Sequence, residues 1–195
     1  MRHDAAGSFL GRQGVQQGAF RRFPRPRRIP DNTGEQDPVR REIPRYRVSI
    51  RQHLRPAPLR TDVLRTLVRR ALRFLEVPGA DLRILAVDDE EMEQRNREFL
   101  GRAGTTNVIS FPEDDPEGGR PVLLAGDILL SVPECLSQTR DWPCSKEERV
   151  FYFVVHGVMH LLGYDHERGK AEAARMRRKE IRVYRSCMPE GRSPI

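Results

Sequence analysis

No apolar run in this 195-residue sequence approaches the roughly 18 residues that a bilayer-spanning helix needs. No membrane span is therefore expected. The stretch from Met1 to Phe20 also lacks the apolar segment of a cleavable secretory signal, which points to a cytoplasmic location. Cysteine is scarce: Cys135, Cys144 and Cys187 are odd in number and form no CxxC pair. A disulfide framework and a cysteine metal site are both disfavoured, leaving the three as small buried or semi-buried residues. Aromatic residues make up 7% of the chain, with one Trp, so platforms for stacking nucleic-acid bases are few.

Positive charge is present, but unevenly. The net charge is +7, which favours an anionic partner such as nucleic acid. Residues 1–44 carry nine Arg against five acids, whereas the rest carries 26 Lys and Arg against 23 acids. The body is thus only weakly basic. Residues 1–44 also hold five prolines and show neither helical nor strand period, which predicts a disordered, basic Pro/Arg-rich tail. Its arm from Arg21 to Arg28 suits non-specific phosphate contact or plain solvation.

From Arg45 onward the patterns become regular, and the expected domain is 45–195. Tyr46, Val48 and Ile50 alternate with polar residues, as a half-buried strand does. Thr61 is a candidate cap for a helix whose apolar stripe runs from Leu64 to Leu75, ended by Pro78-Gly79. Strands are expected over 82–87, 106–111 and 122–131, the last two pairing around a turn at 114–119. Helices are expected from Asp89 to about Phe99, from Ser131, from Ser145 through Leu162, and from about Gly169 to Cys187. This is an α+β or three-layer α/β pattern. The expectation is a single α+β domain: a small mixed four-stranded sheet, about five helices, and one zincin-like metal helix.

The chemistry concentrates in His156-Gly157-Val158-Met159-His160-Leu161-Leu162-Gly163-Tyr164-Asp165-His166. Three of the five histidines fall in these eleven residues. His156 and His160 are four apart on a helix, so both rings leave one face, one turn apart. Gly163 is suited to end that helix and turn the chain, bringing His166 to the same ion. Three imidazoles with an open fourth position are the layout of a catalytic zinc site. Unpaired imidazoles on an otherwise apolar helix would cost free energy with no return. The ligand spacing is that of metzincin peptidases, but those carry Glu directly after the first His, where this chain has Gly157. Asp165 can orient a ligand or hydrogen-bond within the turn.

The run resembles the H-G-x-x-H-L-x-G-Y-D-H signature of the YbeY-type bacterial rRNA maturation factors. Thr106-Asn107-Val108-Ile109-Ser110-Phe111-Pro112 and Gly126-Asp127-Ile128 are similar to two further motifs of that family. The resemblance covers roughly 46–166. It implies a zinc-dependent single-strand endoribonuclease of the bacterial cytoplasm, acting in small-subunit rRNA 3′-end maturation and ribosome quality control. It also implies one Zn2+ per chain held by His156, His160 and His166, with ribosomal RNA and ribosomal particles as partners. No side chain is singled out for proton transfer. One position departs from the pattern: Leu100, after Phe99, stands where the family carries an Arg thought to meet RNA phosphate, with Arg97 and Arg102 the nearest cations in that stretch. Eight positive residues between Arg168 and Arg185, against Glu167, Glu172 and Glu180, suit either RNA contact or a solvated helix face. Tyr164 is a candidate for base stacking or a turn role. The alternatives are a non-catalytic zinc-containing ribosome biogenesis factor and a metallopeptidase.

Overall fold

The computed structural model describes residues 45–113 and 124–189. The expected tail, its basic arm and the turn at 114–119 lie outside the described residues. Strand β1 (Arg45–Gln52) alternates as expected: Val48 and Ile50 are buried, and Arg47 and Arg51 face out. Helix α1 (Thr61–Phe74) buries Leu64, Leu67, Val68, Ala71 and Leu72. Thr61 does not cap it. Arg60 takes the N-cap position with no side-chain bond, and its backbone N–H goes instead to Glu147 Oε1 at 2.9 Å. A tertiary contact therefore sets where this helix begins.

The helix also ends before Pro78. The N–H groups of Glu76 and Val77 return to the carbonyls of Arg73 and Leu72, and Glu76 takes a positive φ of 55°. This is a Schellman-type stop with Glu in the place glycine usually fills. It frees Gly79 to begin β2 (Gly79–Val87), three residues ahead of the expected start, because the register pairs Gly79 with Arg45 of β1. Helix α2 (Asp89–Leu100) is capped by Asp88, which accepts from the Glu91 N–H at 2.8 Å, and ends at Gly101 with φ 65°. Strand β3 (Val108–Pro112) and strand β4 (Leu124–Ser131) pair antiparallel, as expected. Pro112 sits at the end of β3, an edge strand, where its missing N–H is tolerated.

The strand order is β1-β2-β4-β3, with β1, β2 and β4 parallel. The sheet is mixed and four-stranded, as the sequence predicts. Helices α3 (Val132–Gln138), α4 (Lys146–Leu161) and α5 (Lys170–Cys187) complete an α+β domain of five helices among the described residues. Ser131 caps α3 from its side chain, but Glu134 does not return the bond and pairs with Gln138 instead. Ser145 and Glu148 do form a reciprocal capping box at α4.

Alternation along the strands divides the sheet into two faces. Val108, Ile128 and Leu130 face α1, α4 and α5 in the larger core, while Leu85, Val87, Ile109 and Leu129 face α2 in a smaller one. Helix α4 is central to the larger core, with Val150, Phe151, Val154, Val155 and Val158 all nearly inaccessible. Among the described residues no helix is long and apolar enough to cross a membrane.

Candidate metal centre

Burial on almost every side fixes the rotation of α4 about its axis. Gly157 lies against β3 and β4: a Cβ there would stand 2.8 Å from Ser110 Oγ and 3.2 Å from Ile128 Cγ2. The close approach favours glycine and fixes which face of α4 meets the sheet. Leu162 closes α4, and Gly163 adopts φ 83°. The Gly163 and Tyr164 N–H groups bond back to the carbonyls of His160 and Met159, at 2.9 and 3.0 Å. The reversed chain enters a short 3-10 turn, His166–Arg168, which Asp165 pins by accepting from the Glu167 N–H at 2.8 Å and from Arg168 Nε at 3.3 Å. Asp165 therefore has the turn role.

These constraints bring the three histidines together. Ring centroids are 4.6 Å apart for His156 and His160, 5.3 Å for His156 and His166, and 5.1 Å for His160 and His166. One ligand-competent nitrogen from each lies within 4.8 Å of the others, and the Nε2 atoms of His156 and His160 are 3.0 Å apart. An ion bound at about 2.1 Å to each nitrogen in tetrahedral geometry places neighbouring nitrogens about 3.4 Å apart. The cluster is thus of the right size to hold one ion.

Electrostatics agree with that fit. Burial, followed by the neighbouring His156 and His166 rings, lowers the pKa of His160 to about 4. His166 is lowered too, by burial first and His156 second. Both rings are neutral at physiological pH, as metal-ligating imidazoles must be. The donor set of three imidazoles with no thiolate suits zinc among several first-row metals.

A fourth residue belongs to the cluster. His156 Nδ1 lies 2.7 Å from Oε1 of Glu180, whose exposure is only 3%. Its charge reaches Tyr152, whose hydroxyl pKa rises to about 12, with burial the larger cause and Glu180 the next. The sequence places Glu180 among the acids of a charged helix suited to RNA contact or to a solvated face, whereas in the fold it is buried. The signal was present: Met176, Glu180, Val183, Tyr184 and Cys187 form the buried stripe of α5, and Glu180 is its one charged member. A carboxylate is almost never found at such a position without a partner.

Other candidates lie elsewhere. Leu100 packs against the smaller core with Leu85 and Leu129, on the α2 face of the sheet. Phe99 meets Phe111 edge-to-face at 5.4 Å, and Arg97 pairs with Glu93 at 2.8 Å. Tyr164 packs against the larger core in the turn, with the Arg175 guanidinium 5.4 Å over its ring. Cys135, Cys144 and Cys187 are free thiols, the first and last buried.

Known proteins share this arrangement of sequence. A family profile described as Endoribonuclease YbeY matches residues 50–187. A protein of that name from Syntrophotalea carbinolica is 40% identical over 126 residues, spanning 63% of this chain and 83% of the relative. Another, from Geobacter metallireducens, is 34% identical over 148 residues, spanning 74% of this chain and 98% of the relative. A third, from Aquifex aeolicus, is 34% identical over 127 residues and 83% of its length. The matched span encloses all three histidines, the glycine that seats their helix and the carboxylate behind them; the chain belongs to the YbeY endoribonuclease family.

Proposed function

We propose that this protein is a zinc-dependent single-strand endoribonuclease that matures the 3′ end of small-subunit rRNA in the bacterial cytoplasm and acts there in ribosome quality control. Its partners in this reading are ribosomal RNA and ribosomal particles, with no membrane involved. The observation that carries the reading is the convergence of three imidazoles, with one ligand-competent nitrogen from each within 4.8 Å of the others, in a chain of the YbeY family. His156, His160 and His166 are the proposed ligands of one zinc ion per chain. When bound, zinc supplies Lewis-acid polarisation of a phosphoryl oxygen. The protein's own side chains hold and orient. The Gly163 reversal presents His166 opposite the helix pair. Arg168, at the end of the turn, and Arg175, on α5, are exposed and offer positive charge to the RNA backbone. Residues 45–195 are the proposed catalytic domain, with 1–44 as its basic tail.

Peptide hydrolysis is disfavoured by a specific contact. The position after the first histidine, where metzincins carry their general base, is a glycine pressed against Ser110 and Ile128, so that a glutamate side chain there would force both neighbours to move. The test uses zinc-loaded protein and a 3′-extended small-subunit rRNA fragment, with His160→Ala prepared in parallel and cleavage mapped on a gel. Cleavage by the wild type, lost in the variant by at least about a hundredfold, is the expected result. Zinc-bound, folded wild type that cuts neither this fragment nor intact ribosomal particles overturns the nuclease reading in favour of a non-catalytic ribosome factor.

A further inference from the structure

The larger core contains one charged side chain that its packing does not explain. Glu180 sits on the α5 stripe between Met176 and Val183, both at 0% exposure, and is itself 3% exposed. Transferring a carboxylate to such a place costs several kcal/mol unless it is compensated. The compensation in this fold is directed at a single atom, Nδ1 of His156, at 2.7 Å. His156 is itself buried, so neither group is placed for exchange with solvent. On the far side of the same ring, Nε2 points to the other histidines, 3.0 Å from His160 Nε2.

We propose that Glu180 is the positioning residue of the metal centre. It accepts the Nδ1–H of His156, fixes that tautomer, and so leaves the Nε2 lone pair facing the ion. This inference rests on the three-histidine metal reading above. An imidazole carries one N–H when neutral, so a partner that accepts at Nδ1 decides which nitrogen is free to ligate. A negative carboxylate also raises the electron-donating power of the ring and offsets part of the ion's charge. The other two histidines have less fixed surroundings. His160 and His166 are only partly buried, and His166 rides on a three-residue turn. His156 is therefore the rigid member against which the other two adjust, and Glu180 holds it.

The placement has a consequence for assembly. The histidines come from α4 and the turn after it, whereas Glu180 comes from α5, 24 residues beyond His156. The orienting contact exists only with α5 packed on α4. The apolar stripe of α5 and its carboxylate thus serve one event, the closure of α5 over α4.

The test compares wild type, His160→Ala, Glu180→Gln and Glu180→Ala as full-length protein. Zinc dissociation constants are measured by competition with a chromophoric chelator, and melting temperatures of the metal-free forms are measured beside them. Nitrogen-detected NMR of the histidine rings, without metal, reads the His156 tautomer. Glu180→Gln keeps an acceptor oxygen in the same shape, so it is expected to keep the tautomer and weaken zinc binding modestly. Glu180→Ala is expected to weaken it roughly 10–100-fold and to give a mixed tautomer at His156. A role in packing alone lowers the melting temperature of Glu180→Ala while leaving the tautomer and the affinity of the folded fraction unchanged, and this outcome overturns the proposal. Wild-type affinity in both Glu180 variants overturns it as well, with the metal reading intact provided His160→Ala has lost zinc. If wild type and His160→Ala bind zinc equally, the metal reading itself has failed.

Discussion

Two groups of buried charge lie on opposite faces of the sheet, and they are built on opposite plans. On the α2 face, Arg83 of β2 lies between two carboxylates: Asp127 of β4 takes it bidentately at 2.5 and 3.0 Å, and Glu113 lies 2.9 Å away. The hydrogen bonds that Arg83 donates to Asp127, chief among several causes, hold the guanidinium pKa well above its ordinary value. The Nε and one Nη of the guanidinium donate to these carboxylates. On the α4 face, one carboxylate backs a ring of three imidazoles whose lone pairs converge on each other. The first group is closed by its own members and serves the sheet. The second leaves one ligand-competent nitrogen on each of three rings within 4.8 Å of the others, an arrangement that could hold a metal ion. Burial and charge alone do not separate structure from function here; the satisfaction of each group does.

This contrast can be broken by substitutions at three places outside the histidines: the Arg83 cluster, the Gly157 contact and the start of α4. The largest expected effect is at Asp127. Asp127→Ala leaves Arg83 with half its partners and is expected to cost about 3 kcal/mol, read by urea unfolding. Zinc affinity of the folded protein should stay within about twofold of wild type; a larger change would show that the two charge groups are coupled through β4.

Next is Gly157→Ala, which drives a methyl group to 2.8 Å from Ser110 Oγ and within 3.3 Å of Ile128. Overpacking of that kind costs about 1–3 kcal/mol. Ser110 Oγ is buried and finds no hydrogen-bond partner among the described residues. Adding Ser110→Ala should therefore recover part of the loss, seen as a favourable coupling in a double-mutant cycle. Strict additivity would place the clash elsewhere.

The smallest expected effect is at the far end of α4. Ser145→Ala removes the side-chain half of the capping box, the bond to the Glu148 N–H at 3.2 Å, and should cost about 1 kcal/mol. Zinc binding should not change, because the cap lies more than two turns from His156. A drop in affinity would mean that fraying at the N-terminus of α4 reaches the centre.

Much of this was legible because it is local. Period-two alternation placed β1, the i, i+3, i+4 stripe placed α1, and the i, i+4 histidines with Gly163 foretold that His156, His160 and His166 would meet. Misreadings arose where a distant partner overrode a local signal. Thr61 reads as a cap, yet the entry to α1 is set by Glu147, 87 residues away from Arg60. The start of β2 could not be read from Gly79-Ala80-Asp81, which have little strand character, because pairing with β1 supplies it. Glu180 reads as one acid among many on a charged helix until α5 is docked and its stripe turned inward.

The sequence by itself determined that His156, His160 and His166 converge, because spacing on one helix and a glycine-ended turn are short-range geometry that needs no knowledge of the rest of the chain. Only the tertiary structure decided which carboxylate stands behind His156, and why the residue after it is glycine. Both depend on how α4 lies between α5 and the edge of the sheet, and that contact is settled by side-chain volumes contributed from β3, β4 and α5 together.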